Sequence, residues 1–510
     1  MTSAEPGIAA RMDRLPLIGM HRRATVAVGL GLFFDMYEIF LTPVLSVALV
    51  QEFQLSKAEL PLVLASTFVG MFAGTLLLGR LADRIGRRRA FLVSLAIYSL
   101  FSLLGAFSTG PLMLAATRFV AGIGIGAEPP LADAYLSDLL PAKRRGRFTA
   151  WAYTVAFLGV PVAGFLAHWT EPLSPLGIAG WRWMFALGAV GAIVVFLLRR
   201  GLPESPRWLA AAGRHAEADA LVTAFEREAR ESGAELPEPQ PAPEQPRSGG
   251  LRDLVRPPYG QRTGMMAVFQ VLQTVGYYGF GTMVPMVLAA KGYEVTDSLL
   301  FSAVTYLGYP VGAAASLPFV ERVERKFLVI GSALAMVVLG LGFGLAGSTA
   351  LIVVFGFLYT AASNVFSNAF HIYQAEIFPT HIRATAASWT YSLSRLTTGA
   401  MPFVLVPLLH AQGAGVLFAV VAAAMIAVVV DIGVFGPRAG GRQRRAGRTR
   451  AALSLTPGPG LTPGPGLTAG LSLTPGRGCG PGRSRRGTAP RSAAPAAPPP
   501  PPAPARPAAR

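Results

Sequence analysis

The chain has 510 residues, of which 52% are hydrophobic and only 14% charged, and its mean hydropathy is +0.46. So apolar a chain of this length excludes an ordinary soluble protein and points to several membrane spans. The formal charge of +18 would suit nucleic acid, but thirteen arginines from Arg438 onward, with no lysine and no acid among them, leave only +5 for the rest.

Residues 1–23 are polar and end in His21-Arg22-Arg23. The apolar run that follows is too long for a signal-peptide core and reads as a retained first helix. Apolar segments long enough to cross a ~30 Å hydrocarbon layer fall at 24–50, 60–79, 89–108, 110–137, 147–169, 180–199, 264–290, 298–320, 327–346, 350–375, 384–408 and 413–436. That makes twelve, six on each side of a polar stretch. In this stretch Ala216 to Arg230 has helical composition, and Pro237 to Pro246 reads as a disordered or polyproline spacer. The expected organisation is a terminal segment 1–23, a six-helix bundle 24–199, a linker 200–262, a second bundle 263–436 and a disordered tail 437–510. The tail repeats Leu-Thr-Pro-Gly-Pro-Gly and ends in a Pro/Ala run, so it cannot build a core. It reads as a solvated segment near anionic headgroups, or else as an extension foreign to the native protein. It carries the one cysteine, Cys479, so no disulfide and no cysteine-based metal site is expected within the chain. Loops holding Arg84 to Arg89, Lys143 to Arg147, Arg322 to Lys326 and Arg383 alternate with nearly uncharged ones near Gly110, Ser348 and Gln412. The basic loops and both termini are therefore expected on the cytoplasmic side of the cell membrane.

Two loops repeat at one spacing. Asp83-Arg-Ile-Gly-Arg-Arg88 is echoed by Glu321-Arg-Val-Glu-Arg-Lys326. Tyr135, Asp138, Pro141 and Arg145 are echoed by Tyr373, Glu376, Pro379 and Arg383. All of these pairs are 238 residues apart, which indicates a duplicated membrane bundle.

The pattern Gly79-x-x-x-Asp83-Arg84-x-Gly86-Arg87-Arg88, weakened in its second copy, resembles the loop signature of the major facilitator superfamily. Pro203-Glu-Ser-Pro-Arg-Trp-Leu209 resembles the mid-chain signature of the sugar porters and their organic-ion and organic-acid relatives. The resemblance implies an all-α membrane protein of twelve transmembrane helices in two pseudo-symmetric six-helix bundles. It also implies a transporter and not an enzyme. It further implies that Asp83, Arg84, Arg88, Asp138, Arg145 and Glu204 of the first half, with Arg322, Glu376 and Arg383 of the second, pair across helices when the cytoplasmic side is shut. The plain alternative, topology signals alone, explains the arginines but not the repeated acids.

Ionisable groups at membrane depth are costly unless paired or hydrated. Asp35 and Glu38 in Phe33-Phe-Asp-Met-Tyr-Glu38 are three apart and share a helix face. Arg118 opens Arg-Phe-Val-Ala-Gly-Ile-Gly-Ile-Gly126 in the fourth segment. Counted from the predicted segment ends, Asp35 and Arg118 reach similar depths, ~16 Å and ~12 Å from opposite surfaces, so a contact is geometrically allowed. Breaking such a contact would load or release a proton. Proton-coupled sugar porters have an acid and an Arg at similar positions, and the resemblance implies those roles here, with Glu38 a second proton site. The plain alternative is a permanent structural pair. Glu128, before Pro129-Pro130, reads equally as a gate element or a packing contact.

Arg395 lies near the middle of the eleventh segment with Trp389 and Tyr391. A guanidinium beside aromatic rings suits a planar carboxylate, although it would equally partner one of the buried acids. Gln270, Gln273 and Tyr277 in the seventh segment, and Asn364 in the tenth, are further substrate candidates, with helix–helix hydrogen bonding the alternative for each. Phe269 to Tyr278 departs from the sugar porters' Gln-Gln-Leu-Ser-Gly type string, which turns the expectation from sugars to organic acids.

The reading is a proton-coupled secondary transporter of a small organic or aromatic acid. The partners are its substrate, protons and the bilayer, with no nucleic acid, no cofactor and no metal, and a monomer is expected. The rivals are a proton-coupled sugar porter and a non-transporting membrane sensor of the same fold. A drug exporter is disfavoured by the mid-chain signature. No Gly-x-x-x-x-Gly-Lys-Ser/Thr loop occurs, which argues against ATP drive.

Overall fold

The computed structural model describes residues 7–141, 144–239, 251–257, 259–378 and 380–438. The tail from 439 on, Cys479, most of the 237–246 spacer and the side chains of Glu321 and Arg383 lie outside the described residues. Within them, all regular structure is helical.

Span one is Gly19–Val44, continued by Ser46–Phe53 after Pro43. Spans two to four are Glu59–Ile85, Arg87–Ala106 and Pro111–Leu139. Span five is the pair Arg145–Phe157 and Gly159–Thr170, and span six is Gly180–Arg200. Span seven is Gly260–Ala290, and span eight is the pair Val295–Tyr306 and Gly308–Arg322. Spans nine and ten are Arg325–Leu345 and Thr349–Ile377. Thr380–Ala400 begins span eleven, and Gly413, at φ +76°, divides Pro402–Phe435 into the end of span eleven and span twelve. Nine described stretches are long and apolar enough to cross a membrane, and the last, Thr385–Phe435, holds two spans. Spans four and seven miss that measure because ionisable groups, glutamines and glycines dilute them.

The 238-residue repeat reappears in the packing. A Cβ on Gly70 or Gly74 of span two would lie 2.0 Å and 1.9 Å from the carbonyl oxygens of Phe119 and Ile123 in span four. In the second half, a Cβ on Gly308 or Gly312 of span eight would lie 2.2 Å from those of Phe357 and Ala361 in span ten. Each of these residues is 238 positions after its counterpart. Missing side chains let the backbones approach this closely, and dispersion between them holds the helices together in lipid.

The basic ends of the two halves are also tied alike. Tyr135 donates to the Pro203 carbonyl at 2.8 Å and Tyr373 to the Pro437 carbonyl at 2.9 Å. Arg87 lies 4.0 Å from Asp138, and Arg325 3.5 Å from Glu376. Arg88 donates to the Arg200 carbonyl at 2.5 Å, while Lys326 reaches those of Gly433 and Gly436 at 2.9 Å and 2.7 Å.

Between the halves, the named contacts run from mid-depth to the end opposite the basic loops. Phe40 packs on Tyr306 and Tyr309 at 5.8 Å and 5.7 Å, and Phe68 packs on Tyr278 at 5.8 Å. At the far end the His168 ring lies 2.9 Å from the Thr296 carbonyl. Among the described residues no ion pair joins one half to the other. Outside the spans, the helix His215–Glu231 carries Glu226, which receives Arg11 at 2.9 Å and Arg14 at 2.7 Å from the terminal segment.

Candidate functional site

Arg118 and Glu38 form an ion pair at 2.8 Å, both fully buried. Arg118 also donates to the Glu38 carbonyl at 3.1 Å, and Ser102 donates to the other carboxylate oxygen at 2.6 Å. Gly188 makes room for this carboxylate, since a Cβ there would sit 2.1 Å from Oε1. The Asp35–Arg118 contact allowed by the sequence is therefore corrected: Arg118 meets Glu38, and neither Asp35 oxygen has a hydrogen-bond partner. The reason is depth. From the far ends of their helices Arg118 is seven residues in and Glu38 six, ~10 Å and ~9 Å, whereas Asp35 is nine in, ~14 Å.

Glu128 is fully buried among polar partners. It is ion-paired at 2.6 Å with Arg199, which is also buried, and accepts from Ser94 at 2.9 Å. Arg199 was missed in the sequence because, beside Arg200 at the end of span six, it looks like a topology charge. The signal for it was Glu128 itself, an acid at membrane depth that requires a counter-charge.

Arg395 is 2% exposed. It donates to the Tyr278 hydroxyl at 2.9 Å and to that of Tyr391, and its guanidinium lies 5.2 Å and 4.8 Å from the two ring centres. Among the described residues no carboxylate lies within ion-pair distance of it, so the alternative of a partnered arginine fails. One expected companion is corrected. Trp389 is 41% exposed and shares the outer face of span eleven with Leu396, seven residues on and 50% exposed. Tyr278, not Tyr277, holds the guanidinium. Tyr277 packs on Tyr278 at 4.9 Å.

The expected amides are engaged within the second half. Gln273 donates to Gln270, Gln270 to Gln374 and Gln374 to Thr390, each at 3.0 Å. Asn364 donates to the Tyr309 carbonyl at 2.6 Å. These bonds tie spans seven, eight, ten and eleven together. Gln273 Oε1 and Asn364 Oδ1 keep unfilled acceptor capacity.

At the basic face Glu204 accepts from the Arg88 backbone at 3.1 Å, and Ser205 donates to Asp138 at 2.9 Å. Asp83 pairs with Arg87 at 2.5 Å, and Arg145 lies 3.8 Å from Asp13. Arg84 and Arg322 are exposed. The pairs that form lie within each half, so no described ion pair latches the halves across this face.

Residues 27–443 match the family described as sugar (and other) transporter. The chain belongs to that family. This transporter is 31% identical to the putative metabolite transport protein YyaJ of Bacillus subtilis, over 76% of this chain and 86% of that one. It is 30% identical to the niacin transporter NiaP of Acinetobacter baylyi, over 84% and 97%. It is 29% identical to the gentisate transporter of Corynebacterium glutamicum, over 75% and 80%. In fold it resembles the xylose transporter XylE of E. coli in a partially occluded inward-open conformation, with a TM-score of 0.67 and 19% identity, covering 83% of this chain and 99% of that one. The architecture is thus the major facilitator fold of twelve helices in two six-helix bundles, and the protein is a multi-pass membrane transporter, not an enzyme.

Proposed function

We propose that this transporter moves a small aromatic or other organic acid together with protons across the cell membrane, with its basic face and both termini cytoplasmic. The observation that carries the reading is Arg395, a buried guanidinium held by two tyrosines and matched by no described carboxylate. A buried, unneutralised cation at mid-depth is costly, and a substrate carboxylate offsets that cost through bidentate bonding. Tyr278 and Tyr391 would flank the substrate's ring. Two relatives are named for aromatic acids, niacin and gentisate, which supports the same class. The Glu38–Arg118 pair with Asp35 would handle the proton, and the basic-face network would close across the halves in the other state of the cycle.

The test is uptake of radiolabelled nicotinate, gentisate and xylose into proteoliposomes, with and without a pH gradient. The acids enter, an acidic exterior accelerates them, and xylose neither enters nor competes. Arg395→Ala lowers uptake roughly 30-fold or more, the loss of a buried charge-assisted pair, and Arg395→Lys does not restore it because the planar fork is gone. Xylose uptake in place of acid uptake would make this a sugar porter, and binding without flux would make it a sensor.

A further inference from the structure

Span one carries its two acids into different surroundings. Glu38 is neutralised by Arg118. Asp35 is fully buried with both oxygens unpartnered. Its strongest charged neighbours are Glu128 of span four and Arg199 of span six, followed by Glu38. Tyr98 of span three, whose hydroxyl is also unpartnered, and Tyr153 of span five lie within electrostatic reach of it. The cluster holds three carboxylates, Asp35, Glu38 and Glu128, against two guanidiniums, Arg118 and Arg199, none more than 1% exposed. A net charge sealed in so low a dielectric is expensive. One proton therefore belongs to the cluster, and Asp35 is the carboxyl with no cation of its own.

Arg199 is built into the face of span one that carries Asp35. It donates to the carbonyls of Ala27 and Val28 at 3.3 Å and 3.4 Å. Its Nη2 fills the place where a Cβ on Gly31 would stand, 1.8 Å from that position. Asp35 is four residues beyond Gly31, on the same face and about one turn away, roughly 5–6 Å. On its other side Arg199 adjoins Arg200, whose carbonyl accepts from Arg88. Glu204 then holds the Arg88 backbone, and Ser205 binds Asp138.

We propose that Arg199 is a positioning residue that moves between Glu128 and Asp35 and so links the proton on Asp35 to the basic-face network of Arg88, Glu204 and Asp138. When Asp35 releases its proton to water on the open side, Glu128 and Asp35 share one guanidinium. That sharing draws the end of span six along span one toward Asp35. When the proton returns, Arg199 goes back to Glu128. The inference rests on the proton-coupled reading, but its test does not depend on transport.

The probe is the infrared carbonyl band of a protonated carboxyl, titrated in purified, lipid-reconstituted protein and assigned by its loss in Asp35→Asn. Glu128→Gln frees Arg199 for Asp35 and moves the band's midpoint toward acid by roughly 1–3 pH units. Adding Arg199→Gln, which keeps the charge balance and hence the fold, returns the midpoint to the wild-type value or beyond. Gly31→Ala, which changes no charge, displaces the guanidinium and moves the midpoint away from acid. A midpoint unmoved by Glu128→Gln, or an acid shift that survives in the double variant, would overturn the role of Arg199. Nicotinate uptake indifferent to a pH gradient would remove proton coupling and leave the infrared result standing.

Discussion

Glu38 and Asp35 are three residues apart on one helix, yet only Glu38 has a cation. The difference is one turn of depth, because a guanidinium fixed near the far end of span four reaches the outer acid and not the inner. The pair is sealed and hydrogen-bonded, so breaking it is expensive even though forming it adds little. Arg118→Ala leaves Glu38 buried and alone and lowers stability by about 3–5 kcal/mol, read as thermal unfolding in detergent. Adding Glu38→Gln to that variant recovers much of the loss. A single variant as stable as the wild type would mean that water reaches Glu38. At Arg395 the neighbours decided the outcome: Tyr391 is four residues away and points the same way as the guanidinium, whereas Trp389 is six away and faces outward.

Besides the buried ion pairs and the amide chain, helices in this chain are joined by glycine seams inside the membrane and by polar ties at its edge. The seams recur at one spacing because both halves inherited the same contacts, Gly70 on Phe119 and Gly308 on Phe357. The ties extend to the terminal helix Ile8–Asp13, which docks on His215–Glu231 through Glu226. Burial pushes the Glu226 carboxyl up, but hydrogen bonds from Arg11 and Arg14 outweigh it and hold the group below its ordinary value of 4.5. A carboxyl lowered in the folded state stabilises the docked form above that value, and the contribution is lost as pH falls through the folded one. Amide hydrogen exchange of Ile8–Asp13 is therefore expected to stay slow from neutral pH down to about 5 and to quicken below about 4.5, once corrected for intrinsic rates. Glu226→Gln abolishes that step. A protection profile flat into strong acid would show that apolar packing alone holds the segment.

Across the whole molecule, the halves meet from mid-depth to the far end, and no described ion pair crosses the basic face. In the rocking cycle of this fold such contacts must part for the far side to open. A Cβ on Gly164 would lie 2.8 Å from that of Ala303, so once the two helices yield by about an ångström to the Cβ spacing of a disulfide, the double variant Gly164→Cys/Ala303→Cys, with Cys479→Ser, brings two thiols into bonding reach. Oxidation is expected to stop uptake and reductant to restore it. Full transport by the cross-linked protein would contradict opening at this interface.

The chain by itself determined the number of spans, the duplication and the identity of most buried charges, because hydropathy, spacing and the cost of charge in lipid are properties of short stretches. The 238-residue echo seen in two loops, Tyr135 and Tyr373 included, needed no coordinates, and the packing extends it to glycines whose role no local pattern announces. Only the tertiary structure decided the partners: Glu38 for Arg118, Arg199 for Glu128, Tyr278 for Arg395, and an amide chain for Gln270. Partner choice depends on differences of a few ångströms in depth and some tens of degrees in helix rotation. Those are set by how whole helices pack, and a linear sequence does not carry them.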